Sequence, residues 1–546
     1  MVDSTLDDSK IEKKIHGDED FDQDAVDLAI LGHEQVLARK FGIWSLIALS
    51  FCVLGTWSTF AQGLSSGLEN GGPVAILWGL VLVLFCNICV AVSLGEMVSA
   101  MPTTLGQAFW ISHLFPTGLG RFISYMCAWI NTFGWWTLCA SQNAFMTDFI
   151  LGMKLLFDPD WEGGGKGWVE FLVYIGITAL MSFINIVSCR KDAVLPMFNN
   201  FIGVTFIGLF FVISLALVIS VGTKDNLEFQ PASFIFGTWL NQTGWSDGVT
   251  WFMGLLQAAY GLTAFDSAIH MVEEIPDPRK NVPRTIWLSV ACGALTGFIF
   301  MIVCLACIQD LDDILDPVTG LPFMDLLSSV MGANGGCVLL SLFIFNGIGQ
   351  GVSIVTSASR LTWGFARDGG LPWSQYLTHV NSDWKVPARA IVVQGIIISL
   401  VGVLYTFSST VLEAILSVST IALTISYAMP IIVLLCVGRD KLPPGPFRLG
   451  RCGAVVNWVA VVYCCITSVF FFFPGSPDPA PEDMNYAIAV FGIMLIVAVG
   501  FWFFKGRASY MQLEGTIDGS LPAPRDEKLT ELKGGDHENS VSIVKH

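Results

Sequence analysis

Lysine and arginine are missing from twelve long apolar stretches of this 546-residue chain. The stretches run 43–68, 73–98, 122–150, 168–187, 195–221, 249–271, 285–308, 334–359, 390–407, 411–437, 453–473 and 485–504. Each reaches or approaches the ~20 residues that a helix needs to cross a bilayer core. A soluble domain does not carry that much continuous apolar sequence, so the missing charge excludes that class. What remains is an all-α polytopic membrane protein with twelve transmembrane helices. Catalytic signatures are missing too. No HExxH, no nucleophile–base pair and no intramembrane carboxylate pair stands out, which argues against a membrane-embedded enzyme. Nothing suggests the charged or carbonyl rings of a channel. Cys86/Cys89 and Cys304/Cys307 have CxxC spacing but lack His or acidic partners. They read as small packing residues, and no metal or cofactor is expected. Nothing points to nucleic acid, and the oligomeric state is not legible.

Charge is present at the ends of the spans, and it is lopsided. Between Arg39 and Arg507, 18 Lys and Arg fall on one side of the expected membrane and 3 (Lys154, Lys166 and Lys224) on the other. The positive-inside rule makes the larger set cytoplasmic, with both termini inside. The flank before the first span is long and acidic rather than short and basic. The first helix is therefore expected to serve as the insertion signal itself. Residues 1–38 hold eleven acids against three Lys, and residues 508–546 hold seven acids against four bases. These tails, 1–40 and 508–546, read as disordered and cytoplasmic. One sequon, Asn241-Gln242-Thr243, lies in the 223–248 loop that this topology places outside, so Asn241 is a candidate glycosylation site.

Two spans are interrupted. The first carries Gly55, Thr56, Trp57, Ser58 and Thr59 at its middle. The sixth carries Tyr260, Gly261, Leu262, Thr263, Ala264, Phe265 and Asp266. Gly, Ser and Thr at that depth let a helix unwind, and freed backbone is tolerated only where it lines a cavity. An odd offset of five spans gives the two segments opposite orientations, the mark of an inverted repeat with its site at the midplane. Close packing through small residues is the alternative. Asp266 is the deepest acid in any span, whereas Glu96, Asp148, Glu170 and Glu413 sit nearer helix ends. A buried ionisable group at that depth is costly, which points to function. His270 lies one turn further along the same face, and with Glu273 and Glu274 it could form a proton relay. Asn131, Asn346 and Gln350 are polar at mid-span depth and could line a path or bridge helices. Trp57, Phe60, Trp129, Trp135, Trp136, Tyr260 and Phe265 are the aromatic faces a quaternary amine would need.

The stretch Phe265–Arg284, FDSAIHMVEEIPDPRKNVPR, closely resembles a motif of the amino acid–polyamine–organocation (APC) permeases. In that family an unwound sixth helix runs into an acidic loop ending in Pro-Arg. Gly71-Gly72-Pro73, Ser93–Gln107 (SLGEMVSAMPTTLGQ) and Ser357–Pro372 (SASRLTWGFARDGGLP) agree with it. The chain looks most like the fungal amino acid/choline transporter branch, which includes choline and GABA permeases. The resemblance implies a LeuT-like 5+5 inverted-repeat core with broken helices 1 and 6, as repeats 41–222 and 249–437. Helices 11 and 12 would occupy 438–507. It also implies secondary active transport by alternating access, usually coupled to H+. The helix 1 contacts fall on Thr56–Thr59 and the helix 6 contacts on Tyr260–Asp266. Two departures matter. Trp57 stands where relatives carry little side chain. No Lys in 195–221 replaces a bound sodium ion, and Asn199 and Asn200 are the polar residues there.

The expected function is import of amino acids or related small amines such as GABA across a lipid bilayer, and the expected location is the plasma membrane. A choline transporter of the same family and a non-transporting nutrient sensor are the alternatives. Asp266, His270 and Glu273 are the expected coupling and gating residues.

Overall fold

The computed structural model describes residues 23–381, 386–403, 411–480 and 484–511. Most of both acidic tails and the side chain of Glu413 lie outside these residues. Residues Gln35–Tyr510 form one compact unit, and the described residues outside it belong to a second. In the second, α1 (Gln23–Ile30) is a short helix in which Gln23 Nε2 donates to Asp27 Oδ1 at 3.0 Å. The bundle thus begins at Gln35 and ends at Tyr510, a few residues beyond the limits that hydropathy marks.

The bundle opens with α2 (Ile43–Leu54), α3 (Thr56–Gln62), α4 (Leu64–Glu69), α5 (Gly72–Ala100) and α6 (Gln107–Leu114). Next come α7 (Gly118–Leu155), α8 (Gly167–Ser188), α9 (Val194–Thr223) and the short α10 (Ala232–Gly237). Then follow α11 (Asp247–Gly261), α12 (Ser267–His270), α13 (Pro278–Cys307), α14 (Leu311–Leu315) and α15 (Pro322–Met331). The last are α16 (Ala333–Arg367), α17 (Ser374–Leu377), α18 (Ala388–Gly402), α19 (Val411–Val437), α20 (Gly453–Phe470) and α21 (Ala487–Phe501).

Among the described residues, nine helices are long and apolar enough to cross a membrane. Three expected spans fall short of that test for separate reasons. At 38 residues α7 is long enough, but it buries Asn131, Thr132, Ser141, Gln142, Asn143 and Thr147. It packs between α16, α18 and α19, so its polar groups meet protein rather than lipid. The 15 residues of α11 stop at a break. The 15 residues of α18 run toward a segment outside the described residues. The lipid-type surface is plain on α9, where Met197, Phe201, Val204, Phe211 and Leu215 are exposed along one face at helical spacing.

Both interruptions expected in the first and sixth spans are present. Gly55 separates α2 from α3 with φ 53°, the left-handed region that glycine enters without a Cβ penalty. Residues 262–266 separate α11 from α12, and there Ala264 adopts φ 61° although it carries a side chain. Such a conformation costs ~1–2 kcal/mol and persists only where neighbours impose it. Both breaks sit deep in the bundle. α3 lies close on α13, where a Cβ at Gly297 would stand 2.9 Å from Thr56 Cγ2.

Candidate functional site

A small cavity lies between the two breaks. Val53, Leu54 and Thr59 line it from the first, and Tyr260, Thr263 and Ala264 from the second. Leu138 and Gln142 of α7 and Gln350 and Ile354 of α16 close it. Its lining has no ionisable carboxylate and no cationic side chain. The polar groups are nonetheless fixed in place. Tyr260 Oη and Ser141 Oγ share a hydrogen bond of 2.8 Å. Gln142 Nε2 donates to Gly347 O at 3.0 Å. Gln350 Oε1 lies 3.3 Å from the Ser58 hydroxyl, and its Nε2 donates to Asn346 Oδ1 at 3.0 Å. Thr59 Oγ1 and Ser58 Oγ both donate to Gly55 O, at 3.0 and 2.8 Å. Gly55 O also accepts from Thr59 N at 2.9 Å, so these hydroxyls fold back onto the first turn of α3, and Thr59 Oγ1 reaches Leu54 O at 3.3 Å on the other side of the break.

Several residues marked by the sequence go elsewhere. Trp57 stacks on Phe206 with ring centroids 4.9 Å apart and meets Phe300 at 5.0 Å and Phe343 at 5.9 Å. It ties α3 to α9, α13 and α16 by packing and does not reach the cavity. Thr56 faces α13, and Phe60 fills the space against Gly261. Trp129 packs edge-on against Phe365, and Trp136 Nε1 donates to Thr362. Asn346 bridges to α9 through Thr205 Oγ1 at 2.9 Å. Phe265 packs against the Tyr427 ring at 4.8 Å. Leu262 is buried, and its carbonyl accepts from Asn87 Nδ2 at 3.2 Å. Of the seven aromatic candidates, Tyr260 alone lines the cavity.

Asp266 is fully buried and lies outside that lining. Its Oδ1 accepts from Tyr427 Oη at 2.7 Å. Its Oδ2 meets Gln107 Nε2 at 2.9 Å, His270 Nε2 at 3.0 Å, Asn131 Nδ2 at 3.2 Å and Trp135 Nε1 at 3.3 Å. Four elements besides its own break thus converge on one carboxyl: α6, α7, α12 and α19. Gln107 and Tyr427 are not among the expected site residues. Gln107 closes the TTLGQ motif, but nothing in periodicity aims it at residue 266.

The acidic loop does not run on from His270 as a simple relay. His270 Nδ1 lies 2.9 Å from Thr104 O. Glu273 instead accepts from Thr104 Oγ1 at 2.7 Å and from Arg367 Nη1 at 2.9 and 3.1 Å. Glu274 accepts from Arg360 Nε at 2.7 Å, and both side chains are 1% exposed. Two consecutive acids after the second break are therefore pinned to the basic end of α16. The chain entering the bundle crosses the same place: Gln35 Nε2 donates to Glu273 O at 2.8 Å and Phe41 N to Glu274 O at 3.1 Å. Beyond the helix end, burial pushes Asp368 up to about 6, against the pull of Arg367 beside it. Glu96, at the end of α5, is held by Arg439 Nη2 at 2.7 and 2.9 Å. Asn241, the sequon residue, donates through Nδ2 to Trp245 O at 2.8 Å and Asp247 Oδ1 at 2.9 Å.

The chain as a whole is similar to known permeases. A family described as amino acid permease matches residues 41–499. A choline transporter of Saccharomyces cerevisiae is 30% identical over 93% of this chain and 88% of its own length. The GABA-specific permease of the same yeast is 27% identical over the same shares, 93% and 88%. Amino-acid permease BAT1 of Arabidopsis thaliana is 29% identical over 90% of this chain and 97% of its own length. The chain belongs to the amino acid permease family, within the amino acid–polyamine–organocation superfamily.

Proposed function

We propose that this permease imports small amino-containing solutes, amino acids or GABA, by alternating access coupled to H+. The observation that carries this reading is the small polar cavity pressed between two interrupted helices. Thr59, Gln142, Tyr260, Thr263, Ala264 and Gln350 meet the solute there, and the backbone around Gly55 and Gly261 shapes the space. A zwitterion suits hydroxyls, carboxamides and open carbonyls better than an aromatic cage. The twelve-span, 5+5 inverted-repeat architecture goes with the proposal, and the odd offset between the breaks supports it. So does an orientation with both termini cytoplasmic, on the strength of the 18-to-3 distribution of basic residues, and the plasma membrane is part of the same proposal.

Choline is the second reading, because one yeast relative is named a choline transporter. Against it stands the single aromatic face, Tyr260, in the lining. The deciding experiment is radiolabel uptake of L-alanine, GABA, choline and putrescine by cells expressing the chain, with and without a proton uncoupler. Uncoupler-sensitive uptake of an amino acid or GABA is the expected result. Uptake of choline alone would replace the first reading with the second. Saturable binding without uptake would make the protein a sensor.

A further inference from the structure

We infer that Asp266 and His270 hold one shared proton in this conformation, that the pair is the proton site of transport, and that Tyr427 is the residue through which α19 reads it. This rests on the transport reading above. The argument begins with the imidazole. His270 Nδ1 lies 2.9 Å from the carbonyl oxygen of Thr104, which can only accept, so Nδ1 carries a hydrogen. His270 Nε2 lies 3.0 Å from Asp266 Oδ2. If Nε2 were bare and Asp266 ionised, two lone pairs would face each other at hydrogen-bond distance. One proton between them removes that conflict. It resides on Nε2 as imidazolium with carboxylate, or on Oδ2 with neutral imidazole.

The surroundings favour the ionised form of Asp266. Gln107, Asn131 and Trp135 present N–H groups that can only donate to it, and the Tyr427 hydroxyl lies 2.7 Å from Oδ1. The proton thus converts a buried site of charge −1 to a neutral pair. Both side chains are fully buried, and an unpaired charge there is strongly disfavoured. Other titratable groups face the site at some remove. Cys127 of α7 donates to Ser426 O beside Tyr427. Glu273, paired with Arg367, reaches the site only through Thr104. Among the described residues no Lys or Arg bonds to Asp266 or His270, so none substitutes for the proton.

Loss of the proton leaves repulsion that the packing seen here cannot relax in place. The parts able to move are α12, four residues long, and the strained break before it. Asp266 sits at the start of α12 and Tyr427 on α19, so a displaced Asp266 withdraws its Oδ1 from Tyr427. Thr104 connects the pair to the Glu273–Arg367 clamp at the basic end of α16. Proton release and loosening of that end are then one event.

Two measurements test this on the full chain. The first does not depend on transport: infrared pH titration of the protein in nanodiscs, wild type against Asp266→Asn and His270→Gln. One proton step as the pH rises is expected in wild type and absent from both variants: either an imidazolium band is lost while the carboxylate band stays, or a carboxylic-acid band gives way to carboxylate. A neutral His270 beside an ionised Asp266 throughout the folded pH range would overturn the shared proton. The second uses proteoliposomes loaded with pyranine and given labelled GABA, L-alanine or choline outside. Lumenal acidification accompanying uptake is expected in wild type. In Tyr427→Phe, which keeps the ring against Phe265, the pH profile of uptake should move about one unit toward higher pH, since a donor to the carboxylate is lost. Uptake without acidification would overturn the proton site and leave the transporter standing. An unchanged profile in Tyr427→Phe would overturn the role of Tyr427. No uptake of any solute alongside the expected infrared step would sink the transport reading and the coupling role, while the shared proton would stand.

Discussion

The two helix breaks look alike in sequence and are built differently. At the first, one glycine takes a left-handed conformation and the side chains that follow turn to packing or to their own backbone. Trp57 enters a ring cluster, and Ser58 and Thr59 bond to Gly55 O. At the second, five residues leave the helix and the last is a carboxyl with five hydrogen-bond contacts. The first is a hinge held by shape. The second is a junction held by charge, followed at once by two acids clamped to arginines. On the function proposed above, the solute is read at the cavity the breaks share and the proton at one of them alone.

The largest effect should come from the clamp. Arg360→Ala strands Glu274 in a buried site, and removing one member of a buried ion pair costs about 3–5 kcal/mol. Thermal unfolding of the detergent-purified protein should show it, and Arg360→Met with Glu274→Leu should recover most of the loss. Unchanged stability in the single variant would mean that the second break is not held by charge.

Next is the hinge. Gly55→Val puts a β-branched residue at φ 53° with its Cβ about 2.6 Å from Gln350 Oε1. A penalty of about 2 kcal/mol is expected, with uptake lowered tens of fold. Ala264→Gly at the other break should act in the opposite sense and raise stability by about 0.5–1 kcal/mol, because it relieves a strained alanine. Equal losses at both positions would erase the distinction between them.

Smaller still is the difference between two rings one turn of chain apart. Tyr260→Ala should weaken inhibition of uptake by GABA or choline severalfold, in the range of about 0.5–2 kcal/mol. Phe265→Ala should leave it within about twofold, since that ring contacts Tyr427 rather than the cavity. The reverse ranking in a competition assay would move the solute site toward Asp266.

The smallest effect is a pH dependence at the basic end. Asp368 is pushed up to about 6 from an ordinary 3.8, so this conformation favours its neutral form. Its ionisation opposes this packing above pH about 6, and protonation relieves that opposition as the pH falls through this value. From pH 7 to pH 5 this conformation should gain about 1 kcal/mol relative to one in which Asp368 is solvated. Limited proteolysis at the two pH values should detect the gain, and Asp368→Asn should abolish the difference.

Much of this was legible in the chain, and the reasons are local. An apolar run long enough to span a bilayer, the side of each basic residue and a glycine with hydroxyl neighbours inside a helix are features of contiguous residues. They were enough for the helical class, the family and the positions of both breaks. The cavity lining overlapped the expected residues at Thr59, Tyr260, Thr263, Ala264 and Gln350 for the same reason. Gln142 is not among the expected residues, and it lies in a polar run, Ser141-Gln142-Asn143, within α7.

What tertiary structure alone decided is the direction in which side chains point and whom they meet. Trp57 and Ser58 are neighbours in the chain, yet one enters a hydrophobic cluster while the other faces Gln350 of α16. Asp266 was visible as a costly acid, but its partners lie at positions 107, 131, 135, 270 and 427. A sequence shows that a buried charge must be compensated, because desolvation is a property of the group. It does not show which groups compensate it, because those are brought together only when distant helices pack.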